Sequence, residues 1–266
     1  MSYLGKEIRL NRLLNQKSGK LLAIAVDHSI SRGIYDGLIP IRETLRRIVD
    51  GCPDSITMHK GIAQTCFEPF AGKNQVSLVL KASSFAPYHF NYDTQTATVE
   101  EAVRLGADAI SMGVIVGGDS QAEQLAQLAR LTRKAEEYGM PVIAHIYARG
   151  EQIPKEEQRN WKNVAYAVRA GAELGVDIVK TTYTGDVESF ARVVEACPTR
   201  VAVAGGDRCK TPREFLQMTR DVMDAGGAGV TYGRFVWSYP DPAAMIRALG
   251  KVIHEGSGVD DALSML

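Results

Sequence analysis

The chain has 266 residues, of which 45% are hydrophobic, and its 31 acidic and 31 basic residues leave a formal net charge of zero. That balance argues against a nucleic-acid or membrane partner held by bulk electrostatics, so any recognition of an anion must be local. The length suits one α/β barrel, and we predict a single domain over residues 1–266. Four cysteines without a CxxC spacing, and no apolar run of membrane-spanning length, predict a soluble cytoplasmic protein with free thiols.

The predicted elements alternate along the chain between two kinds of hydrophobic pattern. A short amphipathic helix over residues 8–15 is placed to cover the bottom of a barrel core. Apolar, β-rich segments follow at residues 21–28, 55–60, 77–82, 109–116, 141–147, 177–183, 200–205 and 229–235. Segments with helical periodicity alternate with them, at residues 41–49, 99–105, 121–138, 163–174, 187–196, 212–224 and 242–254. Strict alternation predicts parallel strands with right-handed crossovers, and this length predicts an α/β fold: a single (β/α)8 TIM barrel with a short N-terminal helix.

Residues 83–98 follow the third predicted strand without clear periodicity, although the segment is aromatic around Tyr88, Phe90 and Tyr92. Loops of this length in compact domains are usually functional or mobile. After strand three of a barrel, the segment would lie over the mouth of the active site or form a contact between subunits. The pattern leaves both interpretations open.

Lys180 lies in an apolar, β-branched run where a buried strand should carry no charge. A buried ammonium is costly unless it is paired or loses its proton, and a neutral lysine amine attacks carbonyl groups. Lys180 is therefore a candidate for Schiff-base formation. The alternative is a lysine at a strand end whose ammonium reaches solvent.

Further candidates stand at other predicted strand ends, which meet at the active-site face of a TIM barrel. Alternation along the fifth strand places His145 and Tyr147 on one face, and a phenol near an iminium carbon could transfer a proton. Asp27, at the end of strand one, could orient the lysine, bind a substrate hydroxyl or act as a base. Their alternatives are a tyrosine at the barrel rim and an aspartate that caps the following turn.

Glycines after strands seven and eight fit the place where barrels commonly hold a phosphate. The residues are Gly205 and Gly206 after strand seven, and Gly233 with Arg234 after strand eight. They predict a small-molecule substrate that is a phosphorylated carbonyl compound. Further candidates for substrate or anion binding are Lys60, His28 and His145.

A competing interpretation uses Asp27, His28, His59 and His145 as ligands of a divalent metal ion. No pair of them has the spacing of a helical metal motif, and Asp27 and His28 are successive residues that point to opposite faces of a strand. We therefore predict no metal and no cofactor.

Several motifs, in order and spacing, resemble those of the archaeal-type class I fructose-bisphosphate aldolase family, a group of DeoC/LacD-like aldolases. They are Val26-Asp27-His28, His59-Lys60-Gly61-Ile62, Tyr147-Ala148-Arg149-Gly150, Asp177-Ile178-Val179-Lys180, Ala204-Gly205-Gly206 and Gly233-Arg234. The family also includes 2-amino-3,7-dideoxy-D-threo-hept-6-ulosonate synthase and the thiolase of autoinducer-2 breakdown.

The resemblance implies a class I aldolase that makes or breaks a C–C bond in a phosphorylated ketose. It makes Lys180 the Schiff-base lysine, Tyr147 the acid–base tyrosine and Asp27 the third active-site residue, with the glycines and Arg234 in the phosphate loops. It also implies a homo-oligomeric ring, often a decamer.

Departures from the family pattern leave the substrate open. Ala148 replaces a proline, Asp207-Arg208 replaces Pro-Lys, and Phe235 replaces an asparagine. The main competitor is a transaldolase-type heptulosonate synthase that acts on a deoxy-ketohexose phosphate and aspartate semialdehyde. The pattern also leaves room for a thiolase and for a phosphosugar-binding protein without activity.

Overall fold

The computed structural model describes residues 4–71, 76–205 and 209–266. Its strands are β1 (Leu21–Ala25), β2 (Ser55–Met58), β3 (Ser77–Lys81), β4 (Ser83–Ala86), β5 (His89–Gln95), β6 (Ala109–Val116), β7 (Val142–Ala148), β8 (Ile178–Thr182), β9 (Arg200–Gly205) and β10 (Gly229–Tyr232). All except β4 and β5 form a closed parallel barrel in the order β1-β2-β3-β6-β7-β8-β9-β10. The predicted (β/α)8 barrel is confirmed.

The helices of the described residues surround this barrel. They are α1 (Leu4–Leu13), α2 (His28–Arg32), α3 (Ile41–Asp50), α4 (Lys60–Thr65), α5 (Val99–Arg104), α6 (Gln121–Glu137), α7 (Trp161–Glu173), α8 (Val187–Glu195), α9 (Pro212–Asp224), α10 (Arg234–Trp237), α11 (Pro242–Glu255) and α12 (Val259–Leu263). Side-chain caps fix several helix starts, as in the capping box that Thr98 and Glu101 form at α5. Within the described residues, no helix combines the length and hydropathy needed to cross a membrane.

The lower half of the barrel interior is an apolar plug. The predicted N-terminal helix, which begins at Leu4 rather than at residue 8, contributes Leu10 and Leu13 to it. The inward strand residues of the plug are Leu21, Ala23, Val79, Ala109, Ile143, Ile178 and Ala202. Alternate residues of a strand share a face, so the next inward positions of β3, β7 and β8 are Lys81, His145 and Lys180. The barrel is therefore apolar below and polar above.

Residues 83–98, expected to lack regular structure, contain an antiparallel hairpin of β4 and β5 with a register shift between Ser84 and Ala86. The hairpin is held by hydrogen bonds to the start of α6, where Ser120 Oγ and Gln124 Nε2 both donate to the carbonyl of Asn91 at 2.9 and 2.8 Å. The bulge and the half-exposed surface of the hairpin explain why no strand alternation is visible in the sequence. The hairpin rises beside β6, next to the upper end of the barrel.

Candidate active site

A cavity of about 290 Å³ opens at the carboxyl ends of the barrel strands. Of the predicted site residues, the structure brings eight to its lining: Asp27, His28, His145, Tyr147, Lys180, Gly205, Gly233 and Arg234. They come from five strands and the segments that follow them, so the topology, rather than the sequence spacing, assembles the group. Gly206, Asp207 and Arg208 lie outside the described residues.

Lys180 lies on the inner face of β8, above Ile178 of the apolar plug, and is 7% exposed. Its neighbours across the ladder are His145 on β7 and Ala202 on β9. The β-branched residues around it favour the strand, and the alternation within that strand turns the lysine into the cavity. The structure therefore favours the buried lysine over the solvent-reaching alternative.

His145 and Tyr147 both line the cavity from β7, as the alternation of that strand requires. Burial lowers the pKa of His145 well below its usual range, and the charges of Lys180 and Lys81 lower it further. The imidazole is therefore neutral at physiological pH. Among the described residues its buried Nε2 atom has no hydrogen-bond partner, so this nitrogen keeps an unused hydrogen-bonding capacity.

Asp27 occupies the N-cap position of α2, but its side chain makes no capping hydrogen bond. The capping alternative therefore does not account for the carboxylate. Burial opposes ionisation of Asp27, yet the positive charges of His28, Lys180 and Lys81 outweigh burial and hold its pKa below the ordinary value. Because burial itself lowers the pKa of His28 to about 4, the two lysines supply this charge at neutral pH.

Packing at the cavity wall is close at Gly205 and leaves no room for a side chain at Gly233. A Cβ atom at Gly205 would lie 2.6 Å from Cε of Met218, and one at Gly233 would lie 2.4 Å from Cε1 of His28. Arg234 follows directly as the first residue of α10 and lines the cavity. These contacts give the glycines a steric role that the sequence argument, which used only approach to an anion, did not contain.

Lys60 stands apart from this cavity. Lys60 begins α4, its side chain is 44% exposed, and its Nζ lies 2.7 Å from Oε1 of Glu101. The chain turns from β2 into the helix at His59, and the lysine follows the helix outward rather than the strand inward. The structure thus does not bring Lys60 to the predicted substrate site. Across the described residues, no cluster of three His, Cys, Asp or Glu side chains has a metal-binding arrangement.

The structure adds charged residues to the cavity that were not among the predicted site residues. Lys81 at the end of β3 and Asp93 on β5 line the cavity, together with Arg32, Arg149 and Arg159. Lys81 had the signal that singled out Lys180, a lysine in a buried β-rich run. Arg149 belongs to the Tyr147-Ala148-Arg149-Gly150 motif, whereas Asp93, Arg32 and Arg159 had no signal, because they lie in the hairpin or in short helices.

The cavity is strongly cationic although the whole chain is neutral. Among its described lining residues, two carboxylates, Asp27 and Asp93, face six cations: Lys81, Lys180, Arg32, Arg149, Arg159 and Arg234. The hairpin holds one of the cations, since Arg149 Nη2 donates to the carbonyl of Phe90 at 2.9 Å and its guanidinium lies 4.4 Å from the Phe85 ring centroid. Such a concentration of charge attracts an anionic ligand.

Comparison with known proteins gives consistent relatives. Residues 21–239 match the family model described as DeoC/LacD family aldolase. The chain is 39% identical to a 2-amino-3,7-dideoxy-D-threo-hept-6-ulosonate synthase of Halobacterium salinarum, over 99% of this chain and 97% of that protein. It superposes on an archaeal fructose 1,6-bisphosphate aldolase with a TM-score of 0.84 at 30% identity, covering 95% of this chain and 100% of the other.

A further solved structure is an archaeal fructose-1,6-bisphosphate aldolase whose catalytic lysine is covalently bound to the carbinolamine intermediate of its substrate. The present chain matches it with a TM-score of 0.83 at 28% identity, over 94% of this chain and 99% of that one.

Proposed function

The chain belongs to the DeoC/LacD family of aldolases, and we propose that Lys180 is the residue that forms the Schiff base with its ketose substrate. The class I aldolase activity predicted from the sequence is confirmed by the family match and by the similarity to Schiff-base aldolases. The observation that carries the assignment of Lys180 is its position: buried at a strand end, in one cavity with Asp27 and Tyr147.

In this proposal, the amine of Lys180 attacks the ketone to form a carbinolamine. Its hydroxyl takes up one proton from solvent and leaves as water, which produces an iminium ion. The ammonium of Lys180 must lose its proton before the amine can attack, and burial lowers the cost of that loss. The iminium then accepts the electron pair of the C–C bond that breaks, and in the reverse direction it supplies the nucleophilic carbon as an enamine.

Tyr147 and Asp27 divide the remaining work. The phenol of Tyr147 lines the cavity from the strand next to Lys180 and transfers the proton of the substrate hydroxyl at the bond that breaks. Asp27 stays ionised because its pKa is lowered, so it orients the amine and accepts hydrogen bonds from substrate hydroxyls. His28 and His145 are neutral and contribute hydrogen bonds rather than charge.

The substrate in this proposal is a phosphorylated ketose. The excess of cations around the cavity supports an anionic substrate, and a volume of about 290 Å³ suits a small sugar phosphate. We place the phosphate of the substrate at Gly205, Gly206, Gly233 and Arg234, and the ketone of the same substrate at Lys180. Cleavage or formation of a fructose-bisphosphate-type ketose is the reaction we favour.

A transfer reaction is the second candidate. The heptulosonate synthase of Halobacterium salinarum is 39% identical to this chain, against 30% for the archaeal fructose-bisphosphate aldolase. In such a reaction the enamine on Lys180 would be captured by an amino aldehyde such as aspartate semialdehyde. The arginines at the mouth, Arg32 and Arg149, offer partners for its carboxylate.

The test is intact-mass spectrometry after borohydride reduction in the presence of single donors: dihydroxyacetone phosphate, fructose 1,6-bisphosphate, fructose 1-phosphate and a deoxy-ketohexose phosphate. We expect a stable adduct with at least one donor, absent in Lys180→Met and retained in Lys134→Met, which removes an exposed lysine of α6. Folded wild-type protein without an adduct for any donor would contradict the proposal. Turnover of a trapped donor with and without aspartate semialdehyde then separates cleavage from transfer.

We also propose that the protein is a homo-oligomer in the cytoplasm, in the form of a decameric ring. Large apolar side chains at Ile34, Ile39 and Tyr88 are 74%, 65% and 90% exposed, which supports a contact between copies. The four cysteines are free, as is usual in a reducing compartment. Light scattering at several concentrations tests the assembly, and a monomer throughout would contradict it.

A further inference from the structure

A second buried lysine faces the cavity from β3. Lys81 is 5% exposed and occupies the inward position above Val79 of the apolar plug. Its Nζ donates to Ser83 Oγ at 3.1 Å and lies 3.8 Å from Oδ1 of Asp93. A lysine this deep in a barrel needs a counter-charge, and Asp93 supplies it.

Asp93 reaches the lysine because contacts with β6 and α6 fix the position of the hairpin. The backbone N–H of Asp93 donates to Gln124 Oε1 at 3.3 Å, and Ser83 Oγ accepts from the N–H of Gly113 at 2.7 Å. A Cβ atom at Gly113 would lie 2.1 Å from Oδ2 of Asp93. Glycine at this position of β6 therefore leaves the space that the carboxylate occupies.

The pair keeps unused hydrogen-bonding capacity at the cavity wall. An ammonium group has three donors, and the described residues provide Lys81 with one acceptor at hydrogen-bond distance, Ser83 Oγ. Asp93 is 3% exposed, yet its Oδ1 has no hydrogen-bond partner in the described part of the chain. Both residues line the cavity. Buried polar groups are normally satisfied, so this donor and this acceptor indicate a ligand.

The chemistry of that ligand follows from the two charges. A phosphate or carboxylate beside Lys81 would meet the negative charge of Asp93, and a cation beside Asp93 would meet Lys81. A hydroxyl group fits both, since it accepts from an ammonium and donates to a carboxylate.

We propose that Lys81 and Asp93 form a hydroxyl-recognition subsite that selects a hydroxylated ketose phosphate over its deoxy analogue. The inference rests on the proposed function, because it assumes that a ketose phosphate is bound to Lys180. Lys81 and Asp93 are specificity residues here, and the nucleophile remains Lys180. A site built to bind a hydroxyl rejects the analogue that lacks it, because the deoxy compound leaves buried polar groups unpaired.

The experiment measures the half-saturation concentration for borohydride trapping with fructose 1-phosphate and with its 3-, 4-, 5- and 6-deoxy forms. Trapping requires only the ketone, so deoxy compounds that cannot be cleaved still report binding. Wild-type protein should bind at least one deoxy form about 10- to 100-fold more weakly than fructose 1-phosphate, as expected for hydrogen bonds to charged groups. In Lys81→Met that ratio should fall to about one, with the adduct still on Lys180.

A second variant guards against misfolding. Lys81→Met leaves the Asp93 carboxylate without its counter-charge, so the double variant Lys81→Met/Asp93→Asn removes both charges and should give the same loss of discrimination. Lys134→Met is the matched control and should keep the wild-type ratio. Equal trapping of all five compounds by wild-type protein, or an unchanged ratio in both the single and the double variant, would overturn the inference. Wild-type protein that traps none of the five would instead remove the proposed function on which the subsite rests.

Discussion

Two buried lysines face the same cavity from different walls of the barrel, and they differ in what surrounds them. Lys180 and Lys81 are 7% and 5% exposed, and each lies directly above a residue of the apolar plug. Lys180 is flanked across the strand ladder by the neutral His145. Both lysines act on the carboxylate of Asp27 and lower its pKa, and Lys81 also has the carboxylate of Asp93 at 3.8 Å. We therefore assign two roles to one sequence signal, a buried lysine in a β-rich run, and the role of Lys81 rests on the carboxylate that the adjoining hairpin places beside it.

We expect the largest effect on activity from replacement of Lys180. Lys180→Met should lower turnover by about 10⁴-fold or more, because no Schiff base can form, and should abolish borohydride trapping. Lys81→Met should retain trapping. The measurements are steady-state kinetics and intact mass on both variants, with thermal unfolding as a check on folding. Loss of trapping in Lys81→Met, with Lys180→Met still reactive, would reverse the two roles.

The next effect sharpens the role of the group beside Lys180. Tyr147→Phe should lower turnover by about 10²- to 10⁴-fold, the usual range for loss of a general acid or base, while trapping stays measurable because imine formation does not require the phenol. Single-turnover trapping and steady-state kinetics separate the two steps. A parallel loss of trapping and turnover would show that Tyr147 also serves imine formation.

A pH experiment tests whether the positive charges that lower the pKa of Asp27 at neutral pH belong to the two lysines rather than to His28. The pKa of His28 is lowered to about 4 by burial, so between about pH 6.5 and 4 the unfolded chain takes up a proton at this histidine that the folded protein does not. The free energy of unfolding should therefore fall as the pH is lowered through this window, by up to about 3 kcal/mol from His28.

The measurement is urea unfolding at several pH values. His28→Gln should flatten the dependence, whereas His89→Gln, at an exposed position of the hairpin, should leave it unchanged. An equal slope in wild-type protein and His28→Gln would mean that His28 is not held neutral. Its positive charge would then contribute to the lowered pKa of Asp27.

The smallest expected effect acts on Lys81 through its partner. Gly113→Ala places a Cβ atom where the Asp93 carboxylate lies. It should lower the free energy of unfolding by about 1–3 kcal/mol, as overpacking does, and should weaken the preference for hydroxylated donors. Gly61→Ala is the control, since nothing lies within 4 Å of its Cβ position on α4. Chemical unfolding and the trapping series test both. A Gly113→Ala protein with unchanged stability and discrimination would show that Asp93 does not need this space.

The barrel and part of the candidate site could be predicted from the sequence. Strict alternation of strands and helices has few solutions, and strand ends converge in a barrel, so Asp27, Tyr147 and Lys180 could be grouped without coordinates. The β4–β5 hairpin was not predictable from its pattern, because a bulged, half-exposed hairpin shows no clear alternation.

The errors have the same physical origin. Asp93 could not be assigned to the site because its contact with Lys81 depends on the fold of the hairpin, whose sequence is aperiodic. Lys60 ends a predicted strand, but the chain turns into α4 at His59 and carries its side chain outward to Glu101. Strand-end reasoning fails where a helix begins one residue early.

We propose that Lys180, rather than Lys81, is the nucleophile. Peptide mapping of the borohydride-reduced protein distinguishes the two lysines. Fructose 1-phosphate or dihydroxyacetone phosphate serves as donor, and tandem mass spectrometry locates the added mass. We expect the modification on the peptide that contains Lys180, with the peptide that contains Lys81 unmodified. A modification confined to Lys81 would contradict the account.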